Sequence, residues 1–176
     1  MATNDLNVDQ LTKLSLFKDA SFEYLQDLVK RCDRRIFKAS ATVLTPDQNN
    51  DKIFCVLSGR LAVHLNNPEG DPITTLGPGH CVGEMSIIED TSPSAYVVAQ
   101  EDSELLEIDR ETLWTMVQRS HAIAHNLLSV LSSRVRRDNE IIADSRNLLR
   151  DFERQQLTDG LTGLHNRTWM DDMFDL

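Results

Sequence analysis

The chain has 176 residues, of which 40% are hydrophobic and 26% are charged, with 7 glycines and 5 prolines. This composition is typical of a globular protein and excludes collagen-like, low-complexity and wholly disordered chains. The formal net charge of −10 argues against a duplex-binding transcription factor, because DNA repels an acidic surface that lacks a segregated basic patch.

The N-terminal sequence predicts no targeting segment. It lacks the basic region and apolar stretch of a signal peptide. No apolar run approaches the ~18 residues that a membrane helix needs. We therefore expect a cytoplasmic protein that contacts neither membrane nor nucleic acid.

Residues 1–32 have the apolar spacing of helices. Leucines recur between Asp9 and Phe17, which predicts a first helix. Ser21 is a suitable N-cap for a second helix from Phe22 to Cys32, with apolar residues on one face.

Residues 34–108 contain short β-branched runs separated by turn residues, a pattern typical of an all-β barrel or sandwich. The predicted strands are 34–37, 42–44, 52–58, 60–65, 72–76, 95–99 and 103–108. The segment Gly83–Ile88 interrupts this rhythm and predicts one helical turn. Asp109 is a plausible N-cap for a helix over Arg110–Ser120.

The three cysteines, Cys32, Cys55 and Cys81, are more than ~20 residues apart and form no C-x-x-C pair. This spacing favours buried, reduced thiols over a zinc site or a disulfide framework. His121 and His125 share a helix face, but no third ligand is near in sequence, so we predict no metal site.

Residues 121–157 contain neither proline nor glycine, which predicts a helix of about 55 Å. Apolar residues recur every seven positions, as in a helical dimer, although two of the four partner (d) positions, Asp138 and Ser145, are polar. The alternative is a helix packed on its own domain. The apolar residues of the predicted homodimer stalk are Leu128, Leu131, Val135, Ile142, Leu149 and Phe152.

The central motifs resemble those of cyclic-nucleotide-binding domains. The matching segments are 54–59 (FCVLSG), 76–88 (LGPGHCVGEMSII) and 94–99 (SAYVVA), in the family's order. The resemblance implies an α+β fold, with a β-roll (a double-stranded jelly roll) between N-terminal helices and a long C-terminal dimerisation helix. It also implies a phosphate-binding cassette over residues 79–95. Where the family often has glycine in early turns, this chain has Ser40 and Asp47.

The resemblance assigns ligand-binding roles within the cassette. Gly83 would let backbone N–H groups converge on a phosphate, and Glu84 would hold the ribose 2′-hydroxyl. Pro93 stands where the family has the arginine that pairs with the phosphate, and proline has neither charge nor N–H. The residues expected to line a ligand such as cAMP, cGMP or another nucleotide are Gly83, Glu84, Met85, Ser86, Pro93, Ser94 and Ala95.

No substitute cation is available nearby in the sequence. No lysine or arginine lies between Arg60 and Arg110, a stretch with ten acidic residues. Only His64 and His80 could become positive there, unless an arginine of the long helix, such as Arg134, folds back. We therefore expect nucleotide binding to be weakened or lost. Retention of the cassette only as a structural scaffold is favoured equally with ligand binding.

The segment Asp159–Thr168 (DGLTGLHNRT) resembles the opening D-x-L-T-G-L-x-N-R-R of diguanylate cyclase (GGDEF) domains. The alternative is a chance turn in which Gly160 ends a helix. Residues 158–176 are too few for a catalytic domain, and no Gly-Gly pair is present. We therefore expect no catalytic residues, with Mg²⁺ and GTP belonging only to a missing cyclase domain. Either the chain is a piece of a longer protein or the rest was lost.

These features predict four parts: N-terminal helices (1–32), a cyclic-nucleotide-binding-like β-roll with its following helix (33–120), a dimer stalk (121–157) and the start of a GGDEF domain (158–176). The predicted function is a non-enzymatic regulatory module that controls a diguanylate cyclase in cyclic di-GMP signalling. The alternative is a ligand-free scaffold that docks a protein partner through the β-roll.

Overall fold

The computed structural model describes residues 8–21, 23 and 25–157. The chain divides into two compact units, residues 1–131 and 132–176, which are described separately. The first unit holds the strands and all helices up to the start of the last one. The second contains the rest of that last helix.

In the described part of the chain, eight strands form two antiparallel four-stranded sheets. The strands are β1 (Asp33–Phe37), β2 (Thr42–Leu44), β3 (Lys52–Ser58), β4 (Leu61–His64), β5 (Thr74–Leu76), β6 (Cys81–Val82), β7 (Tyr96–Ala99) and β8 (Ser103–Asp109). One sheet has the order β1-β8-β3-β6 and the other has the order β2-β7-β4-β5. The expected β-roll within an α+β fold is confirmed.

The helices flank this roll. They are α1 (Val8–Leu11), a 3₁₀ turn (Ser15–Phe17), α2 (Gln26–Val29), α3 (Glu84–Glu89), α4 (Arg110–Arg119) and α5 (His121–Leu157). Asp109 caps α4 as predicted, because its Oδ1 accepts a hydrogen bond from the Thr112 backbone N–H at 2.8 Å. The predicted bounds of α5 agree with the structure. No helix in the described part of the chain is long and apolar enough to span a membrane.

Two predictions for the N-terminal region are wrong. The helix expected over Asp9–Phe17 ends at Leu11, and a separate 3₁₀ turn follows at Ser15. The helix expected over Phe22–Cys32 is reduced to Gln26–Val29, and Leu25 rather than Ser21 is its N-cap. Short isolated helices are marginal, so burial of the leucines in the core determines the path of this segment.

The core has two parts because one sheet is covered on both faces. Phe54 and Val56 of β3 and Leu105 of β8 pack between the sheets. Neighbouring residues of the same strands, such as Cys55 and Leu106, face the helices instead. The N-terminal segment, α4 and the first turns of α5 cover that second face. This double burial explains the continuous apolar run 53–57 in β3.

Several tight turns require a left-handed backbone. Ser40 and Asp47 have φ of +68° and +65°, which agrees with the glycines that the family often has there. Gly59 has φ of +87°, and a β-carbon there would lie 2.3 Å from the Ser103 Oγ. Ser103 in turn accepts a hydrogen bond from the Arg60 N–H at 3.1 Å. The turn from β3 to β4 is therefore fastened to the start of β8.

The first turns of α5 are anchored in the first unit. Ile123 and Leu127 are buried in the core beneath the helices. The Asn126 side-chain amide donates hydrogen bonds to the carbonyl oxygens of Leu16 and Lys18 at 3.0 and 2.7 Å. The start of the long helix is thus joined directly to the N-terminal segment.

Candidate functional site

Within the predicted cassette, Gly83 separates β6 from α3. Its φ is +88°, a value that side-chain-bearing residues rarely adopt. A β-carbon at this position would lie 2.6 Å from the Lys52 carbonyl oxygen and 2.9 Å from the Asn50 Nδ2. Glycine is therefore required both for the backbone conformation and for the close approach to β3.

Asn50 is part of this site and was not identified from the sequence. Its side-chain amide donates to the carbonyl oxygens of Lys52 at 2.7 Å and Gly83 at 3.3 Å. Its Oδ1 accepts a hydrogen bond from the Lys52 N–H at 3.2 Å. The side chain therefore ties Gly83 to the start of β3. The only sequence signal was the Asn-Asn-Asp turn ahead of a strand.

The first turn of α3 directs polar side chains into the protein. Glu84 is 0% exposed and Ser86 is also buried, whereas Met85 is half-buried. Removing a carboxylate from water is costly unless nearby groups compensate. A glutamate would not be expected at a position with only a packing role, so the burial of Glu84 is the feature of the cassette that most clearly indicates a function.

The other predicted ligand residues lie on the segment that leads into β7. Pro93 is buried, Ser94 is exposed and Ala95 is half-buried. The segment turns back after α3, since the Thr91 N–H donates to the Ser86 carbonyl oxygen at 3.2 Å. The position at which the family has an arginine is thus filled by an uncharged, buried ring.

Two cations on neighbouring elements, Arg110 and Lys52, are paired with carboxylates. The Arg110 Nη1 lies 2.6 Å from the Oδ1 of Asp90, the residue that ends α3. The Lys52 Nζ lies 2.8 Å from Glu107 Oε2. This hydrogen bond raises the pKa of Lys52 against the opposing effect of burial. Glu107 also pairs with the Arg35 Nη1 at 3.2 Å.

The two histidines considered as substitute cations have different surroundings. His80 is exposed, and its Nδ1 lies 3.1 Å from the Gly77 carbonyl oxygen. His64 is buried at the end of β4, opposite Tyr96 on β7. In the part of the chain that the structure describes, no group of three or more metal-ligating side chains comes together.

The cassette and the roll correspond to a known family. Residues 34–120 match the model of the cyclic nucleotide-binding domain family. These residues are a cyclic nucleotide-binding domain. The chain is 33% identical over 106 residues to the cyclic AMP receptor protein of Thermus thermophilus, an alignment that covers 58% of this chain and 49% of the relative.

Solved structures share the fold of this cyclic nucleotide-binding domain. The catabolite activator protein of Thermus thermophilus superposes with a TM-score of 0.62 at 28% identity, over 81% of this chain and 65% of that one. The regulatory subunit of a cAMP-independent protein kinase A from Trypanosoma brucei has a TM-score of 0.63 at 14% identity, over 81% and 51%. The chain spans about half the length of the Thermus receptor protein.

The predicted stalk residues lie on α5, beyond the cyclic nucleotide-binding domain. Leu128, Val135 and Ile142 are 64%, 60% and 49% exposed, and Leu131 is half-buried. The side chains of Leu149 and Phe152 lie outside the described residues, as does the segment 158–176 with its cyclase-like motif. The homodimer therefore stays a prediction.

Proposed function

We propose that this chain is the regulatory part of a diguanylate cyclase, with the cyclic nucleotide-binding domain as sensor and α5 as connection. The observation that carries the proposal is sequence continuity: α5 ends at Leu157, two residues before the cyclase-like motif begins at Asp159. A dimeric helix can transmit a change in packing to a domain attached at its end. The chain itself acts as a regulator and not as an enzyme.

The gene that encodes the chain provides a direct test of this connection. We expect the reading frame to continue past Leu176 into a domain of ~100–150 residues with the Gly-Gly-Asp/Glu-Glu-Phe turn of the cyclases. A stop codon directly after Leu176, or a different domain there, would contradict the connection. Neither result would change the assignment of residues 34–120.

We propose further that nucleotide binding is weakened or absent. The cassette retains its backbone path at Gly83 and its buried Glu84, but Pro93 offers no charge to a cyclic phosphate. The cations Arg110 and Lys52 are already engaged by Asp90 and Glu107. Losing one partner of a charge-assisted pair costs ~2–5 kcal/mol. That cost moves a micromolar Kd towards the millimolar range.

Calorimetric titration with cAMP, cGMP and cyclic di-GMP tests this proposal. We expect no saturable micromolar binding to the unaltered chain, and binding of cAMP or cGMP to Pro93→Arg. Pro93→Gln is the matched control, because it adds side-chain length and hydrogen-bonding capacity without charge. We expect no saturable nucleotide binding to this variant. Micromolar binding to the unaltered chain would refute the proposal. Equal gains in both variants would refute the charge argument.

An alternative is that the domain is a ligand-free scaffold for a protein partner. A fold retained without a ligand would have a buried Pro93, and its Arg110 and Lys52 would be paired with carboxylates, as they are here. The titration separates the two proposals. If neither the unaltered chain nor Pro93→Arg binds a nucleotide, the scaffold is favoured.

A further inference from the structure

Two cysteines face each other across the sheet directly ahead of Gly83. Cys55 on β3 is paired with Cys81, the first residue of β6, in antiparallel register. The Val56 N–H donates to the His80 carbonyl oxygen at 2.8 Å. This bond flanks the cysteine pair and does not join its two members, so the pair occupies a non-hydrogen-bonded position of the ladder.

This position has the right backbone geometry for a disulfide. Residues opposite each other at a non-hydrogen-bonded position have Cα atoms ~4.5 Å apart. A disulfide joins residues whose Cα atoms are ~4.4–6.8 Å apart. Cys55 and Cys81 therefore meet the distance requirement without movement of either strand.

The third cysteine is held differently. Cys32 belongs to the same apolar cluster, but its Sγ donates to the Leu28 carbonyl oxygen at 3.4 Å. Burial raises its pKa to about 12. Cys32 is not on a strand opposite either of the other cysteines, so it supplies an internal reference thiol.

Access to the pair depends on β6. Cys55 is 0% exposed and Cys81 is 3% exposed. Burial and a hydrogen bond with Cys81 hold the pKa of Cys55 well above its ordinary value, which keeps Cys55 a thiol in the closed state. β6 has only two residues and lies at the edge of its sheet, so local opening of this strand exposes Cys81 at lower cost than unfolding of the roll.

We propose that Cys55 and Cys81 are a modification site that hydrogen peroxide converts into an intramolecular disulfide. The Cys81 sulfur attacks one peroxide oxygen, giving a sulfenic acid and one water. The Cys55 sulfur then attacks the Cys81 sulfur, forming the S–S bond and releasing a second water. Two thiols and one peroxide thus give one disulfide and two waters. The bond fixes β6 to β3 two residues ahead of Gly83, whether or not the cassette binds a nucleotide.

Mass spectrometry of the unaltered chain tests the proposal. The folded chain is treated with hydrogen peroxide, the peroxide is removed, and the remaining thiols are alkylated in denaturant. We expect one alkylated cysteine, Cys32, because the disulfide consumes the other two thiols. Peptide mapping is expected to recover Cys55 linked to Cys81. Three alkylated cysteines, a link that includes Cys32, or a sulfinic acid without a link would each overturn the proposal.

Two variants distinguish the role of the Cys55–Cys81 pair from that of Cys32. Cys32→Ala is expected to form the same link at an unchanged rate, whereas Cys55→Ala is expected to lose it. Thermal unfolding of each variant before oxidation identifies any that is not folded. A rate of link formation that rises with urea as steeply as global unfolding does would show that the link arises from unfolded chains, and would overturn the proposal without relying on any variant.

Discussion

At the scale of single residues, the cassette depends on a conformation that only one residue type adopts comfortably. Gly83 combines a φ of +88° with contact distances that exclude a β-carbon. Strain of this kind costs ~1–3 kcal/mol per residue. The requirement belongs to the fold and exists with or without a ligand.

We therefore expect Gly83→Ala to lower the free energy of unfolding by ~1–3 kcal/mol, because the backbone must shift away from the Lys52 carbonyl oxygen. Urea unfolding measures the change. Gly77→Ala is the matched control: a β-carbon there meets no atom within 4 Å and its φ is not positive. Equal losses in both variants would contradict the assigned role of Gly83.

A second residue-scale feature is the cap of α4. Burial opposes ionisation of Asp109, but hydrogen bonds from the Thr112 N–H and hydroxyl, both 2.8 Å long, lower its pKa below the ordinary 3.8. Because the folded pKa is the lower one, the carboxylate stabilises the fold at neutral pH. This contribution decreases below about pH 4 and disappears as the pH falls through the folded pKa.

Asp109→Asn separates the cap from the charge. Asparagine is as good an N-cap as aspartate, so we expect the variant to retain α4 and to be less stable than the parent at pH 7. The difference in free energy of unfolding between the parent and Asp109→Asn should be smaller at pH 3 than at pH 7. Urea unfolding at both pH values measures this difference. Asp71→Asn, at an exposed position, should leave the free energy of unfolding unchanged at both pH 7 and pH 3. A constant difference between pH 7 and pH 3 would refute the charge effect.

At the scale of elements, α5 has two kinds of apolar residue. Ile123 and Leu127 are buried in the first unit, whereas Leu128, Val135 and Ile142 are exposed at seven-residue spacing. Exposed apolar residues in a heptad are typical of a helix that pairs with another helix. The predicted partner is a second copy of α5.

We expect the unaltered chain to sediment as a dimer at micromolar concentration, and the double variant Val135→Glu, Ile142→Glu as a monomer, because like charges would meet in the seam. Ser129→Glu adds a charge at an exposed position outside the seam and should remain dimeric. Sedimentation velocity measures the state, and far-ultraviolet circular dichroism verifies that the helix persists. A monomeric parent, or a variant that stays dimeric, would rule out the stalk.

At the scale of the whole molecule, the sequence was most informative where hydrophobic periodicity is local. The predicted strand segments contain β2–β5 and β7 and all but one residue each of β1 and β8, and α4 and α5 follow their patterns closely. β6 was missed as a separate strand because a two-residue run carries no periodicity. The N-terminal helices were predicted too long. Core packing decides where these helices end, and a single sequence does not reveal that packing.

The site was less predictable than the fold, because its contacts join distant parts of the chain. Asn50 bonds to Gly83 across 33 residues, and Arg110 reaches Asp90 across 20. Neither pair has a sequence spacing that indicates contact. The resemblance to the family identified Gly83, Glu84 and the substitution at Pro93, whereas the contacts of Asn50 with Gly83 and of Arg110 with Asp90 depend on the folded structure.

The bond between Asn126 and the N-terminal segment has a consequence for anyone who shortens this protein. A truncation that starts at β1 would remove Leu16 and Lys18, whose carbonyl oxygens accept the two Asn126 hydrogen bonds. The same cut would uncover Ile123 and Leu127, which pack in that cluster. Such a fragment would retain every strand of the roll and still be prone to aggregate, so the minimal soluble domain extends well ahead of its first strand.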